Sequence, residues 1–460
     1  MTNRGRTAFA LTVLFAINAM NFYDRNILGV VTEPIRKQWG LTDTQLGALT
    51  TAFTLLYAAV GLPLGALTDK RRRTGILAAG VFVWSLFTAA TGLVANYGQM
   101  FAVRLGVGVG EASCAPAATS LIGDLFPAAK RARALAVFMM GLPLGIAFSS
   151  AITGFVTQRF NGNWRPAFFI ACIPGLICAA ASLFMTEPAR GASELHDIGA
   201  QKRAGHPFKL VLSIPTMWWL IISGALHNFN MYAIGAFLIP FLMRYHGMKI
   251  SGAGWVQAIV YGLCGVPGLL VGGYLGDSLI KRRASGRLLV GTVAMVISAP
   301  LVFLSLGEPK GNVTMFAVLI GVGIGSMYAY YSTVYSTVHD VVEPSLRGTA
   351  MALYFFAMYV LGASLGPLVT GFFSDRFTRS AALVGGVSDG APAALEPFKG
   401  AGLHSAMYII PILISLLAIV LFAGSRTVGR DVENLHAWMR QTAAPATSDG
   451  AEALRVPAAR

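Results

Sequence analysis

Apolar residues run along this chain in continuous blocks of about twenty rather than in short alternating segments. Bounded by charge or by Gly, Pro and Asn, the blocks fall near 7–30, 44–67, 74–95, 97–121, 131–156, 165–185, 212–242, 252–275, 287–306, 312–338, 348–373 and 403–424. A helix needs about 20 apolar residues to cross a bilayer core, so the pattern predicts twelve spanning helices. An outer-membrane barrel would show alternating segments about half that length. The first block is too long for the core of a signal peptide and reads as a first span. A polar stretch, 187–209, joins the sixth and seventh blocks. Residues 374–402 read as a long, Gly/Ala/Pro-rich external loop. In the tail, 431–440 fits a short surface helix before an Ala/Pro/Ser run that is expected to be disordered.

Charge sharpens this picture. Only 12% of residues are charged, where a soluble domain carries about a quarter. That excludes a soluble enzyme, a disordered protein and a collagen-like fibre. The net charge of +15 is not a nucleic-acid signature. With the N-terminus inside, the inner segments hold 23 Lys and Arg and the outer ones 10, with Arg25 and Arg104 inside spans. This positive-inside bias places both termini in the cytoplasm. The four cysteines sit in apolar runs with no metal-ligand spacing, so neither a zinc site nor a disulfide framework is expected. No phosphate-cradling loop, hydrolase triad or cofactor motif is visible. The chain reads as no enzyme.

The chain also repeats itself. Gly65-Ala-Leu-Thr-Asp69 with a basic run to Arg73 returns as Gly273-Tyr-Leu-Gly-Asp277 with Lys281-Arg-Arg283. Gly106-x-Gly-x-Gly110 returns as Gly321-x-Gly-x-Gly325, Arg131-x-x-Ala-x-Ala136 as Arg347-x-x-Ala-x-Ala352, and Thr153-Gly-Phe155 as Thr370-Gly-Phe372. The offsets of 208 to 217 keep their order, which implies two parallel six-helix halves. The boundaries expected are 1–188 for the first half, 189–211 for a cytoplasmic linker, 212–425 for the second half and 426–460 for a cytoplasmic, partly disordered tail.

These motifs resemble the major facilitator superfamily: G-x-x-x-D and a basic run after span 2, R-x-x-x-G-x-G on Arg104, Gly108 and Gly110, and a Gly/Pro-rich span 5 at Gly141, Pro143 and Gly145. The likeness covers about 7–425. Within the superfamily, Asn21-Phe-Tyr-Asp-Arg25, Gly110-Glu-Ala-Ser113, Gly123-Asp-Leu-Phe126 and Pro143-Leu-Gly145 are similar to spinster-type lipid transporters. Sugar-acid symporters share a span-1 motif of the Asn-Tyr-x-Asp-Arg kind and differ after Glu111, where this chain reads Ser-Cys-Ala-Pro116. The resemblance implies two halves rocking about a central cavity, and an inner-face latch built from Gly65, Asp69, Arg73 and Arg131, with Asp277 at the equivalent loop.

Asp24, Arg25, Arg104 and Glu111 are the ionisable groups placed well inside spans. Each costs at least about 2.5–3.5 kcal/mol at the bilayer centre without a partner or a task. Asp24 and Arg104 fall roughly 9–10 Å below their outer helix ends, so Asp24 or Arg25 can meet Arg104 or its helix at one depth. Glu111 lies two turns further in on the same face. The expectation is that Asp24 and Glu111 exchange protons while Arg25 and Arg104 neutralise them or grip an anionic head. The plainer alternative is a permanent salt bridge tying span 1 to span 4. In the second half, His227, Asn228, Asn230, Tyr232, Tyr328 and Tyr331 are cavity candidates, or simply packed. From the resemblance comes the substrate: a lysophospholipid or sphingoid-like amphiphile, exported by a monomer in the cell membrane, in the bacterial case the inner one. A sugar-acid symporter is the runner-up and multidrug efflux a third reading. No nucleic acid, metal or cofactor is expected.

Overall fold

The structure is a computed structural model, described here for residues 3–68, 70–189, 206–343, 346–387 and 391–443. The first half comprises α1 (Asn3–Trp39), α2 (Asp43–Thr68), α3 (Arg73–Thr91), α4 (Tyr97–Glu111), α5 (Cys114–Leu125), α6 (Ala128–Met139), α7 (Gly141–Arg159) and α8 (Arg165–Leu183). The second comprises α9 (Pro207–Leu212), α10 (Pro215–Arg244), α11 (Ile250–Ala258), α12 (Gly265–Ile280), α13 (Gly286–Leu306), α14 (Val313–Val341), α15 (Arg347–Ala357), α16 (Leu365–Val384), α17 (Pro392–Leu395), α18 (Lys399–Met407) and α19 (Ile409–Ala443). Single turns of π-helix, Ile259–Cys264 and Met358–Ala363, splice α11 to α12 and α15 to α16.

Joined end to end, these helices form twelve rods. Eleven are long and apolar enough to cross a membrane. The twelfth, α1, is more polar because it carries Asn18, Asn21, Asp24, Arg25 and Asn26 mid-length. The fold is all-helical, with six rods in each half.

Each half buries its own core. Leu14, Ile17, Phe53, Trp84, Leu121 and Phe138 cluster in the first, and Phe237, Phe241, Phe316, Ile324, Tyr330 and Tyr354 in the second. Between the halves α1 packs on α10, α2 on α16 and α7 on α11. The α1–α10 crossing is backbone to backbone: a Cβ on Gly29 would stand 2.8 Å from the carbonyl oxygen of Gly235.

Several expected boundaries move. Residues 374–402 are not a long loop: α16 continues through Val384, and short helices occupy much of the rest. Burial of Asp375's neighbours Ser374 and Lys399 explains why a stretch poor in apolar residues stays ordered. Likewise 431–440 is no separate surface helix. It is the end of α19, held because Asp431 accepts from the backbone N–H (2.9 Å) and hydroxyl (2.6 Å) of Thr216 at the start of α10. Most of the linker and residues 444–460 lie outside the described residues.

Candidate substrate and coupling site

Polar residues on α1 are first of all cement for α6 and α7. Asn18 donates to the carbonyl of Phe138 (2.7 Å), Ser149 to that of Tyr23 (2.8 Å), and Asn26 to the Ser150 hydroxyl (2.8 Å). The glycines of span 5 make this approach possible, since a Cβ on Gly145 would fall 2.3 Å from the carbonyl oxygen of Ala19. Asn26 also reaches the other half, accepting from Gln257 (3.0 Å).

The remaining α1 charges turn toward α4. Arg25 Nε donates to Glu111 Oε2 at 2.6 Å, both groups buried. Its Nη1 donates to the Tyr232 hydroxyl of the second half at 3.5 Å, and Nη2 has no hydrogen-bond partner among the described residues. The guanidinium lies over Tyr57 (4.2 Å) and within 5.3 Å of the Phe22 and Phe53 rings. Arg104 stands 5.3 Å from the same Phe53 ring, with Nε and Nη1 unpartnered. Asp24 is fully buried, and neither carboxylate oxygen is paired with a guanidinium among the described residues. The groups acting on it are Glu111, Arg104, Trp84 and Thr88. Two acids and two bases therefore form one buried cluster, of which the two arginines reach the cavity described next. Arg25 reaches past the depth of Arg104 to Glu111, because its flexible stem spans the difference.

A small cavity of about 110 Å³ opens beside this network, between the halves. Arg25 and Arg104 face it, with Asn26 and Thr50. The rest of its wall is apolar or aromatic, including Phe22, Phe53 and Met231, and Tyr232, Tyr261, Tyr328 and Tyr331. Three candidates from the second half, Tyr232, Tyr328 and Tyr331, thus reach the wall. His227, Asn228 and Asn230 do not. His227 is stacked flat on Tyr330 (4.0 Å) and edge-on to Tyr331 (4.8 Å), so its ring is spent in the core. Asn230 donates back to its own helix at the Leu226 carbonyl (2.9 Å), and Gly362 packs closely over Asn228. Sequence reasoning did not single out Phe53 and Tyr57. Their spacing of four on α2, matching one helix face, was the available signal, but aromatic residues in an apolar span carry no mark of function.

At the face where the chain begins, Arg73 is buried and binds Asp124, Glu187 (2.8 Å) and the Ser120 hydroxyl (3.0 Å). The arrangement recurs as Arg287 with Asp340 (2.5 Å) and Asp277 (2.8 Å). Burial acts to raise the Glu187 carboxyl pKa, but hydrogen bonds from Thr74 and Arg73 outweigh it and hold the pKa below the usual range. Gly65 closes α2 beside this cluster; Asp69 and the Arg131 side chain lie outside the described residues.

The opposite face carries a charge network that the sequence left unassigned. Arg244 donates to Glu33 (2.6 Å) and bidentately to Asp43 (2.8 and 2.9 Å), while Arg36 binds Glu33 (2.8 Å) and Glu396 (2.5 Å). Among the described residues, every ion pair between the halves lies here.

Residues 14–367 match the sequence model of the Major Facilitator Superfamily. The chain belongs to that superfamily. Among relatives in it, a "Probable L-galactonate transporter" of Escherichia coli (strain K12) is 28% identical over 382 residues, covering 80% of this chain and 83% of the relative. "Protein spinster homolog 1" of Rattus norvegicus is 29% identical over 413 residues, covering 82% and 75%. Among solved structures, a bacterial homolog to the human lysosomal transporter Spinster, in an inward-facing and unoccupied conformation, superposes with a TM-score of 0.81 at 26% identity, over 93% of this chain and 98% of that one. The superfamily's twelve-helix architecture and its role in membrane transport therefore apply here.

Proposed function

We propose that this transporter carries anionic amphiphiles, lysophospholipids first among them, by alternating access coupled to protons. The carrying observation is the cavity wall: two guanidiniums with free donors set in an otherwise apolar and aromatic surface shared by both halves. A phosphate matches the guanidinium fork. An acyl chain matches Phe22, Phe53 and Met231. A cationic sphingoid head would meet like charge, so the lysophospholipid is favoured over it.

Protons enter through Asp24 and Glu111. An ionised carboxylate stranded in the interior costs several kcal/mol, while one clasped by guanidinium is compensated. Arg25 holds Glu111 and leaves Asp24 without a guanidinium donor. Any motion that moves Arg25 or Arg104 between the acids shifts which of them holds a proton, and a gradient drives that exchange. Arg25 also touches Tyr232, so the same motion is felt in the second half. The positive-inside count puts the N-terminal face in the cytoplasm, with the Arg244 network closing the outer face. We place the carrier in the cell membrane as a monomer.

Sugar-acid uptake is the second reading, favoured by two guanidiniums that flank one ring and could clamp a carboxylate, and by the L-galactonate relative. Counterflow in proteoliposomes under an imposed pH gradient separates the two. Labelled lysophospholipid is expected to exchange and to accumulate only while the gradient lasts. Flux of hexonate alone replaces the first reading with the second, and flux of neither overturns both.

A further inference from the structure

We propose that the repeated Thr-Gly-Phe motif ends in a pair of helix caps that each half extends to the other, and that these two caps hold the Asp43 face shut. The inference goes beyond the substrate reading and needs only that the halves rock.

The full repeat is Thr153-Gly-Phe-Val-Thr-Gln158 against Thr370-Gly-Phe-Phe-Ser-Asp375. In each copy the glycine brings its helix onto the first residue of a helix in the other half. A Cβ on Gly154 would lie 3.0 Å from the carbonyl oxygen of Ile250, the first residue of α11, and one on Gly371 only 2.3 Å from that of Asp43, the first residue of α2. Four residues on, a side-chain oxygen takes the free N–H groups of that helix's first turn. Gln158 Oε1 accepts from the Ser251 N–H (3.2 Å) and hydroxyl. Asp375 accepts from the N–H of Asp43 (3.0 Å) and of Thr44 (2.8 Å) and from the Thr44 hydroxyl (2.7 Å). The donors Thr44 and Ser251 are 207 residues apart and the acceptors 217, both within a residue of the repeat's own offsets.

Orphan N–H groups at a helix start are normally satisfied within the neighbouring chain segment. At the N-terminal face they are: Glu187 caps Thr74 (2.9 Å) and Asp431 caps Thr216 (2.9 Å), each inside its own half. Among the described residues, only the opposite face takes its caps from across the interface in this way. For α2 the cap is surplus to helix formation, since Thr42 and Gln45 already form a reciprocal capping box (2.9 and 3.2 Å). For α11 no other side chain among the described residues caps the start, as the preceding Lys249 offers none. Each half thus supplies one acceptor and one capped helix, so rigid rocking must break both caps together, and losing either favours the open face.

Pulsed electron–electron distance measurements on spin labels test this in the reconstituted full chain. One label pair, Lys37→Cys on α1 with Arg379→Cys on α16, reports the side of the Asp375 cap; the other, Arg159→Cys with Lys249→Cys, reports the α7–α11 side. The chain without added cysteine gives the background of its four free cysteines. The parent is expected to show one dominant short distance at each pair. Gln158→Ala and Asp375→Ala are each expected to raise a longer-distance population about fivefold at both pairs, the ratio that loss of an N-cap typically carries. Together they are expected to multiply. Gln45→Ala, which removes only the cap internal to one half, is expected to change neither pair. Where Asp375→Ala does not fold, Asp375→Asn and Gln158→Glu, which keep an acceptor, serve as the near-parent controls for Gln158→Ala. A lengthening confined to the pair beside the mutated residue, or an equal effect from Gln45→Ala, reduces the caps to local packing and overturns the proposal.

Discussion

Replacing Arg244 by alanine puts the charge network of the closed face to a quantitative test. Its guanidinium makes three contacts, one to Glu33 and two to Asp43, and all three side chains are buried. Without it Glu33 keeps Arg36, but Asp43 keeps only the hydroxyl of Ser374 (2.6 Å) and the neighbouring charge of Lys399. Stranding one member of a buried pair costs about 3–5 kcal/mol. An open face would return Asp43 to water, so that cost falls on the closed state alone. At 1.4 kcal/mol per power of ten, the open:closed ratio rises by roughly two to three and a half powers of ten. Arg244→Lys keeps the charge but loses the fork, and is expected to fall between. Adding Asp43→Asn to Arg244→Ala removes the stranded charge and is expected to recover most of the closed population, because deleting both partners costs far less than deleting one. A cysteine at Thr50, on the cavity wall, reads the result through its alkylation rate by an impermeant maleimide added at the Asp43 face. Labelling of Arg244→Ala no faster than that of the parent, or no recovery in the double variant, would show that the network does not set the state.

Three further outcomes follow. Glu111→Gln keeps an acceptor for Arg25 but cannot cycle a proton, so counterflow is expected to survive within a few-fold while accumulation driven by a pH gradient disappears; persistent gradient-driven accumulation removes Glu111 from coupling. The Glu187 cap on α3 has a lowered pKa, so its stabilisation is present above the ordinary carboxyl value of 4.5 and is lost as pH falls through the folded value. The thermal midpoint of the parent is therefore expected to exceed that of Glu187→Gln at neutral pH and to converge with it in acid, and a gap that is independent of pH contradicts the assignment. Gly29→Ala places a methyl group 2.8 Å from a backbone oxygen that cannot swing away, which is expected to cost about 1–3 kcal/mol and to lower the thermal midpoint; an unchanged midpoint would mean the α1–α10 crossing yields freely.

Much of this architecture was legible because lipid-facing helices are continuously apolar and every exception stands out. Asp24, Arg25, Arg104 and Glu111 were found for that reason, and they do cluster, with Arg25 and Arg104 on the cavity wall and Asp24 and Glu111 buried behind it. Their pairing was less legible. Depth along a helix places a Cα, whereas the long Arg25 side chain chose Glu111. Phe53 and Tyr57 escaped notice because an aromatic ring in a span reads as core until a guanidinium is seen above it. His227 shows the converse, a titratable side chain in a span that proves to be a stacked core ring. The network of Glu33, Arg36, Asp43, Arg244 and Glu396 was hidden by its position. Charges near helix ends look like boundary markers, and only the fold brings those from α1, α2, α10 and the 391–398 stretch together. The stretch 374–402 read as loop because it is rich in Gly, Ala and Pro, although most of its described residues are helical.

The buried cluster on α1 and α4 holds two carboxyl and two guanidinium groups, so with all four ionised its charge sums to zero. Taking on a monoanion together with one proton leaves that sum unchanged. Neither the loaded nor the unloaded cavity would then drag charge through the electrical field across the bilayer, where each elementary charge moved is worth about 2.3 kcal/mol per 100 mV. A carrier built this way feels the chemical part of the proton gradient and is indifferent to the voltage, so it keeps working in a cell whose membrane has depolarised but whose pH difference survives.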